Sequence, residues 1–480
     1  MHLQRVCLAL LVILSTCGST KAQTVLSVEP QESLSLQILE IILGVASPDY
    51  AISTYKVIYT GEDPFGEIDT LSGLLVLPQD NDEPQFPMLA YMHGTAFSAD
   101  AVPSEEGVEE RRLVYAFASN GYISVAPDYL GYGIDSLELH PYVHADTEAK
   151  AGRDMLIAVR GWLDEQEIPY NDQVFTTGYS QGGHASAALQ KLVEAEADGE
   201  LTITAASHLS GPYAISQAMT EAITNPELTT FPAYIVFTYV GYNYVYGLYD
   251  DNASIFVEPY LSTIDSFTQN QIDLGQLNTS LFTQLAANEE QLDGLFQDSI
   301  LNVLIEGDPS HPIIAALIDN DLYDFVPLAP TRLFYCTEDE QVPFQNALLA
   351  DSVMNFLGAE DVESVNGGPS DHGGCVLPSA VFTLNFFNSL QQILSSTGEV
   401  VYEPDWQITP NPVSANGTLR LISNEEPPTN FELYDLQGRQ LARGPVPVDM
   451  EMSLQGLSQG TYIVKLNRGA RSAVRRIIVR

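Results

Sequence analysis

From about residue 52 the chain switches repeatedly between two hydrophobic periods. Apolar positions that alternate, or run unbroken for a few residues, predict strands; a 3.6-residue period predicts helices. Tyr55–Thr60 and Thr70–Leu77 read as strands, and Phe86–Met92 is an apolar run ending in His93-Gly94-Thr95. Val108–Ser119 reads as a helix closed by Gly121, and Tyr122–Pro127 as a buried strand. Helix Thr147–Glu165, strand Gln173–Gly178, helix Gln181–Ala197 and strand Leu201–His208 follow. The alternation resumes with strand Thr331–Cys336 and helices Phe344–Phe356 and Ala380–Leu394. Strands bounded by helices predict an α/β fold, with a mostly parallel sheet wound on both faces.

Residues 211–330 interrupt this pattern. No sheet needs so long an insertion between consecutive strands, so the segment is expected to form its own helical sub-structure, a cap. Within it Phe231–Tyr249 carries no charge. Pro232, Gly241, Asn243, Gly247 and a run of tyrosines make it a poor membrane span, and a buried or interfacial lid helix is the expectation.

The N-terminus has another pattern. Arg5 precedes the apolar run Val6–Leu14, then small and polar residues lead to Ala22. Residues 1–22 therefore read as a secretory signal peptide, too short in its apolar part to span a bilayer. Leu14-Ser15-Thr16-Cys17 loosely resembles a lipoprotein cleavage site, which leaves a lipoprotein as the alternative. Two cysteines remain after such a cut, Cys336 and Cys375, and export to an oxidising compartment would let them pair.

Charge sharpens the division. The chain has a net charge of −44. Residues 23–403 hold eight basic and 56 acidic side chains, whereas 1–22 and 404–480 are each slightly basic. So acidic a body excludes nucleic acid as a partner, because phosphate binding needs a basic face. It also suggests a protein suited to salty surroundings, where ions screen the self-repulsion. The expected organisation is a signal at 1–22, a body at 23–403 and a linker plus small domain at 404–480.

The chemistry centres on Gly178-Tyr179-Ser180-Gln181-Gly182, a G-x-S-x-G between a predicted strand and helix. Such a turn is strained and lifts the serine hydroxyl above the sheet, and the glycines avoid collisions with neighbouring backbone. The N–H of Gln181, opening the helix, would face a developing oxyanion. A second donor is expected from His93-Gly94-Thr95-Ala96: the N–H of Thr95, with Ala96 the alternative. A serine nucleophile needs a base, and the base a carboxylate to hold its tautomer, in the chain order serine, acid, histidine. After the last core strand only His372 is available, in the loop Ser370-Asp371-His372-Gly373-Gly374. The acid should follow strand Thr331–Cys336. Asp339 has the preferred spacing to Val342-Pro343; Glu338 and Glu340 are the alternatives. Cys336 lies three residues before Asp339, and Cys375 three after His372. A hydrogen bond from His372 to Asp339 would bring the cysteines together, and a disulfide is expected. His140 and His144 flank Pro141 without a shared helix face or an evident third ligand, so no metal site is predicted.

Met92-His93-Gly94-Thr95, Ala126–Gly133, His140-Pro141-Tyr142, Gly178–His184 and Asp371–Gly374 together resemble the α/β-hydrolase superfamily over residues 50 to 395. Within it the resemblance is to secreted lipases and esterases with a large cap. It implies acyl transfer to water through an acyl-serine on Ser180, with Asp339 and His372 completing the triad and no cofactor. Cys336 departs from the glycine often found ahead of the acid. In the tail, Pro410-Asn411-Pro412, Phe431–Arg439 and Leu457–Val464 alternate strands with glycine turns, which predicts a small antiparallel sandwich. The block resembles the C-terminal sorting domain of the type IX secretion system. That implies passage through the secretion machinery, then release or surface attachment, often with removal of the tail. A carbohydrate-binding or immunoglobulin-like module is the competing expectation.

The expected protein is thus a secreted serine hydrolase acting on a small-molecule or lipid ester, with the cap supplying and gating the acyl pocket and no transmembrane helix. Alternatives are a serine peptidase of the same fold and a non-catalytic adhesion or binding protein on this scaffold.

Overall fold

Nine strands build one sheet: β1 (Val25–Leu34), β2 (Ala51–Glu62), β3 (Ile68–Gln79), β4 (Phe86–Met92), β5 (Ile123–Pro127), β6 (Tyr170–Tyr179), β7 (Ile203–Leu209), β8 (Thr331–Tyr335) and β9 (Val362–Asn366). The computed structural model describes residues 23–44, 48–80, 83–135, 139–196, 199–224, 231–394, 406–415, 417–423, 427–435, 439–468 and 471–480. The proposed signal peptide and Cys17 lie outside these. The strand order is β1-β2-β3-β5-β4-β6-β7-β8-β9. β1, β2, β3 and β5 pair antiparallel, whereas β4 with β5 and the succession β6 to β9 are parallel. Strands β4 and β5 are buried at every position. That burial explains their unbroken apolar runs, since both faces are covered by helices.

The helices outside the interruption are α1 (Leu36–Leu43), α2 (Arg111–Ala118), α3 (Ala145–Glu165) and α4 (Gln181–Ala195) before it. The interruption then holds α5 (Ile215–Thr224), α6 (Pro232–Tyr246), α7 (Tyr260–Thr268), α8 (Leu274–Asn288), α9 (Asp298–Glu306) and α10 (Pro312–Asp319); α11 (Gln345–Leu357) and α12 (His372–Asn388) follow. Leu39, Val114, Phe117 and Phe387 bring α1, α2 and α12 into one core cluster with Leu74, Leu89 and Phe175 of the sheet. Ala149, Ala187, Ala350 and Met354 bring α3, α4 and α11 into another with Leu333. Phe334, the next residue on β8, packs instead with Cys336, Cys375 and Phe382. Alternation along one strand therefore serves both layers.

Several elements differ from the expectations, among them α1, which precedes the first predicted strand. β1 was not expected. It is an edge strand with polar residues at half its positions, only partly buried, so its hydrophobic signal is weak. β9 is short and half-exposed. The final helix begins at His372, not Ala380: Asp371 accepts from the N–H of Gly374 at 2.7 Å as an N-cap. Gly373, Gly374 and Pro378 are poor helix formers, but the cap and the burial of Cys375 outweigh that propensity. His372 thus stands on the first turn of a helix and not in a loop.

The tail forms a separate compact unit. β10 (Trp406–Thr409), β11 (Thr418–Ser423) and β14 (Glu451–Ser453) make one sheet, and β12 (Asn430–Asp435), β13 (Gln440–Pro445), β15 (Gly460–Arg468) and β16 (Arg471–Val479) the other, in the order β13-β12-β15-β16. All pairings within them are antiparallel. Trp406, Leu419, Val464, Leu466 and Ile477 share its core. No described helix is long and apolar enough to cross a membrane.

Candidate active site

Ser180 occupies the corner between β6 and α4 with φ +60° and ψ −120°. Such a backbone is costly for a residue with a side chain, and it persists only where the surroundings enforce it. Packing supplies that enforcement. A Cβ on Gly178 would lie 2.2 Å from the carbonyl oxygen of Gly182, and one on Gly182 would lie 1.9 Å from that of Met92. Both glycines are needed because β4, the turn and the start of α4 touch backbone to backbone. The Ser180 N–H is held by the carbonyl of Leu209 on β7 at 2.9 Å.

Asp339 follows β8. Its Oδ1 accepts from the N–H groups of Gln341 at 3.1 Å and Val342 at 2.9 Å, which fixes the carboxylate. His372 Nδ1 lies 2.9 Å and 2.8 Å from the two Asp339 oxygens. Glu340 is a neighbour with a different part: its Oε2 accepts from the backbone N–H of His372 at 3.0 Å. Burial raises the Glu340 pKa, but that bond and others outweigh it, and the net shift is downward. On the other side the hydroxyl of Tyr179 donates to the His372 carbonyl, and the two rings lie 5.0 Å apart. Cys336 and Cys375 are joined in a disulfide with Cα atoms 6.0 Å apart. It ties β8, just before the acid loop, to the first turn of α12.

Ser180, His372, Gly94 and Thr95 line one cavity of about 610 Å³. Gly94 donates to Glu110 Oε1 at 2.7 Å, and Tyr91 donates to the same oxygen, so α2 anchors the loop after β4. Thr95 Oγ1 meets the Tyr142 hydroxyl at 2.9 Å. The N–H of Thr95 makes no hydrogen bond among the described residues, and that of Gln181 belongs to the first residue of α4, where N–H groups have no partner in their own helix. The cavity is lined by Ser180, by Thr95 and by His372, whose imidazole is oriented by a carboxylate, and the N–H of Gln181 follows Ser180 at the head of α4.

The Gln181 side chain serves elsewhere. Its Nε2 lies 2.7 Å from His140 Nε2 and donates to Glu148 Oε1 at 2.7 Å; Glu148 Oε2 meets His184 Nδ1 at 2.8 Å. Desolvation holds the His140 pKa down to about 3, and that of His144 to about 4. His144 caps α3 and reaches Tyr246 of the cap at 3.1 Å. No group of three or more His, Cys, Asp or Glu that could hold a metal occurs among the described residues. Glu110 and Glu148 had no sequence signal, since each acts across a gap of many residues, and Glu340, an alternative for the acid, instead accepts from the backbone N–H of His372.

The cap corrects one expectation. Only Phe231 and Tyr234 of its described residues line the cavity with Ser180. Most of the wall comes from α1, α2 and α12, because His372 opens α12 and turns the site toward that helix. Within the described part of the cap Phe256 packs on Phe296, and α6 packs on the body through Phe237 on Tyr142 and Tyr242 on His144.

Comparison with known proteins separates the two units. The C-terminal residues 407–480 match the model of the secretion system C-terminal sorting domain. A search of curated proteins finds no match. Among solved structures, a ligand-bound form of the rice cell wall degrading esterase LipA from Xanthomonas oryzae is 25% identical, with a TM-score of 0.68, covering 77% of this chain and 99% of that one. Lipase A of Candida antarctica in its closed state is 18% identical, with a TM-score of 0.57, covering 78% of this chain and 84% of that one. The body therefore has the α/β-hydrolase fold shared with esterases and lipases, and the chain ends in a secretion sorting domain that directs it to export, as a secreted or surface-attached protein.

Proposed function

We propose that this protein is a secreted serine hydrolase that cleaves carboxylic esters through an acyl-serine. The observation that carries the reading is the strained Ser180 at the head of α4, on one cavity with a His372 whose Nδ1 is held by Asp339. His372 takes the Ser180 proton through Nε2 as the oxygen attacks the ester carbonyl. Asp339 keeps the proton on Nδ1 and stabilises the imidazolium. The N–H groups of Thr95 and Gln181 receive the carbonyl oxygen as it becomes an oxyanion, near the positive end of α4. Collapse expels the alcohol, which takes its proton from His372. Water, deprotonated by the same imidazole, then attacks the acyl-serine and releases the acid. No cofactor enters these steps.

The enzyme works after export: residues 1–22 act as the signal peptide and the tail engages the type IX machinery. A fluorophosphonate probe should label the mature protein at Ser180, and Ser180→Ala should lose both labelling and p-nitrophenyl acetate hydrolysis, by about 10⁴-fold or more. Unchanged ester hydrolysis in that variant would sink the assignment.

A further inference from the structure

The cavity at Ser180 extends along α12. Val376, Ala380 and Leu384 line it at intervals of four residues, and His372 stands one interval earlier, so all four share one face of the helix. Opposite them Leu113 and Ala116 of α2 form the second wall, and Ile42 of α1 contributes at the edge. From His372 to Leu384 is twelve residues, roughly 18 Å at about 1.5 Å each. One leaflet of a bilayer's hydrocarbon core, half of about 30 Å, spans roughly 15 Å and holds one acyl chain. The groove is therefore long and apolar on the scale of a lipid chain. Away from the end at Ser180, where Thr95, Tyr179, Tyr234 and Gln341 also line it, its charged lining is the Glu109–Arg112 pair, exposed with N to O at 3.8 Å, and Glu110, already engaged by Gly94 and Tyr91.

A second cavity, of about 240 Å³, lies on the cap side, lined by Tyr132, His140, Phe237 and Leu274. Neither Ser180 nor His372 lines it, and Phe97 borders both cavities. The larger space thus adjoins the reacting atoms, and the smaller one under the cap does not.

We infer that the acyl chain of the substrate lies in the groove between α2 and α12 and not under the cap, so that this wall selects long unbranched acyl chains. The inference rests on the esterase reading of the same site. A chain seated there has its carbonyl at Ser180 and its methyl end toward Leu384, with its methylenes along the aliphatic side chains of α2 and α12. Ala380 is the point to fill, because its small side chain leaves mid-groove room that a larger one would occupy.

The test uses the full mature chain and two readouts. The first is kcat/KM for p-nitrophenyl esters from butyryl to palmitoyl. Ala380→Trp should lower the dodecanoyl-to-butyryl ratio at least about tenfold, and Leu384→Trp should lower mainly the palmitoyl-to-dodecanoyl ratio. Val381→Trp, at the more exposed edge of the same helix, is the second variant should Ala380→Trp fold poorly. Leu274→Trp, in the cap-side cavity, should leave these ratios unmoved. The second readout is binding of cis-parinaric acid by fluorescence in the Ser180→Ala background, which needs no turnover. It should saturate, and Ala380→Trp should weaken it about tenfold or more. Ratios that follow Leu274→Trp and ignore Ala380→Trp and Val381→Trp overturn the proposal while leaving the esterase intact. Fatty-acid binding lost in Ala380→Trp, in a protein that hydrolyses no ester, supports the groove and overturns the esterase reading.

Discussion

Two histidine–carboxylate pairs flank the N-terminal turns of α4, and their geometry is nearly the same. His372 Nδ1 lies 2.8 Å from Asp339, and His184 Nδ1 lies 2.8 Å from Glu148. The difference lies at the other edge of each ring. His184 Nε2 is closed off by the carbonyl of Asn320 at 3.1 Å, and both side chains of its pair are fully buried. His372 Nε2 makes no hydrogen bond among the described residues, and its residue borders the cavity at Ser180. Ser186 and His208 give a third variation: a hydroxyl 2.8 Å from a ring nitrogen, without a carboxylate and wholly buried, its far nitrogen bound to Gln190. A serine, a histidine and an acid are thus not enough. Chemistry needs one ring edge left open toward a nucleophile on a solvent-reachable cavity, whereas a ring bonded at both nitrogens holds helices together.

Substitutions at the two acids should break the likeness most clearly. Asp339→Asn should cut kcat by about 10⁴-fold with little change in stability, because the wrong tautomer faces Ser180. Glu148→Ala should instead lower stability by about 3 kcal/mol, read by urea titration, since it strips a buried acceptor from both Gln181 Nε2 and His184 Nδ1. A Glu148→Ala protein that melts like the parent would show that its network carries no weight. The disulfide divides the pairs in another way, for it braces the Asp339–His372 side alone. Cys336→Ser with Cys375→Ser should cost roughly 3–4 kcal/mol by loop entropy and raise the rate of inactivation by heat. Alkylation of the parent with and without reductant checks that the bridge is present in solution; equal labelling would exclude it.

A smaller effect concerns pH. Burial depresses the pKa of His208 to about 3, below its unfolded value of about 6.5. Its unfolded form binds a proton as pH falls below 6.5 while the folded form does not. Its contribution is therefore present above pH 6.5 and lost on the way down to about 3. The stability gap between the parent and His208→Gln should be widest near pH 8 and narrow progressively toward pH 4. A gap that widens on acidification would reverse the sign. Asp321, whose carboxyl burial raises to about 6, runs the other way: its contribution is present at low pH and lost above 6. The smallest effect is expected from salt. Seven of the eight basic side chains of the body form ion pairs with acids, and most acids have no basic partner to offset them. The melting temperature should rise by a few degrees between low and molar salt as repulsion is screened. A flat or falling trend would count against adaptation to salt.

Much of this was legible in the chain. The strand–helix alternation is a local signal, because each buried strand must be apolar by itself. Gly178 and Gly182 announce Ser180 because the crowding they relieve comes from residues a few positions away and from one strand. Asp339 and His372 were legible from their places after β8 and before the last helix. The start of α12 was not, since a cap by one aspartate overrode two glycines and a proline. Nor was β1, a polar edge strand with little hydrophobic pattern.

By itself the sequence marked Ser180, Asp339 and His372 as candidates, located most of the sheet elements, and identified residues 407–480 as a sorting domain. It gave no sign that His184 also has a carboxylate partner, nor that its ring is closed at both nitrogens. Nor could it decide which wall borders the nucleophile. Ile42, Leu113, Ala380 and Thr95 are far apart in the chain and meet only when the sheet brings α1, α2 and α12 to one side. Local patterns report burial and turn geometry, which depend on near neighbours. The shape of a cavity and the closure of a hydrogen bond depend on which distant surfaces touch, and only the tertiary structure settles that.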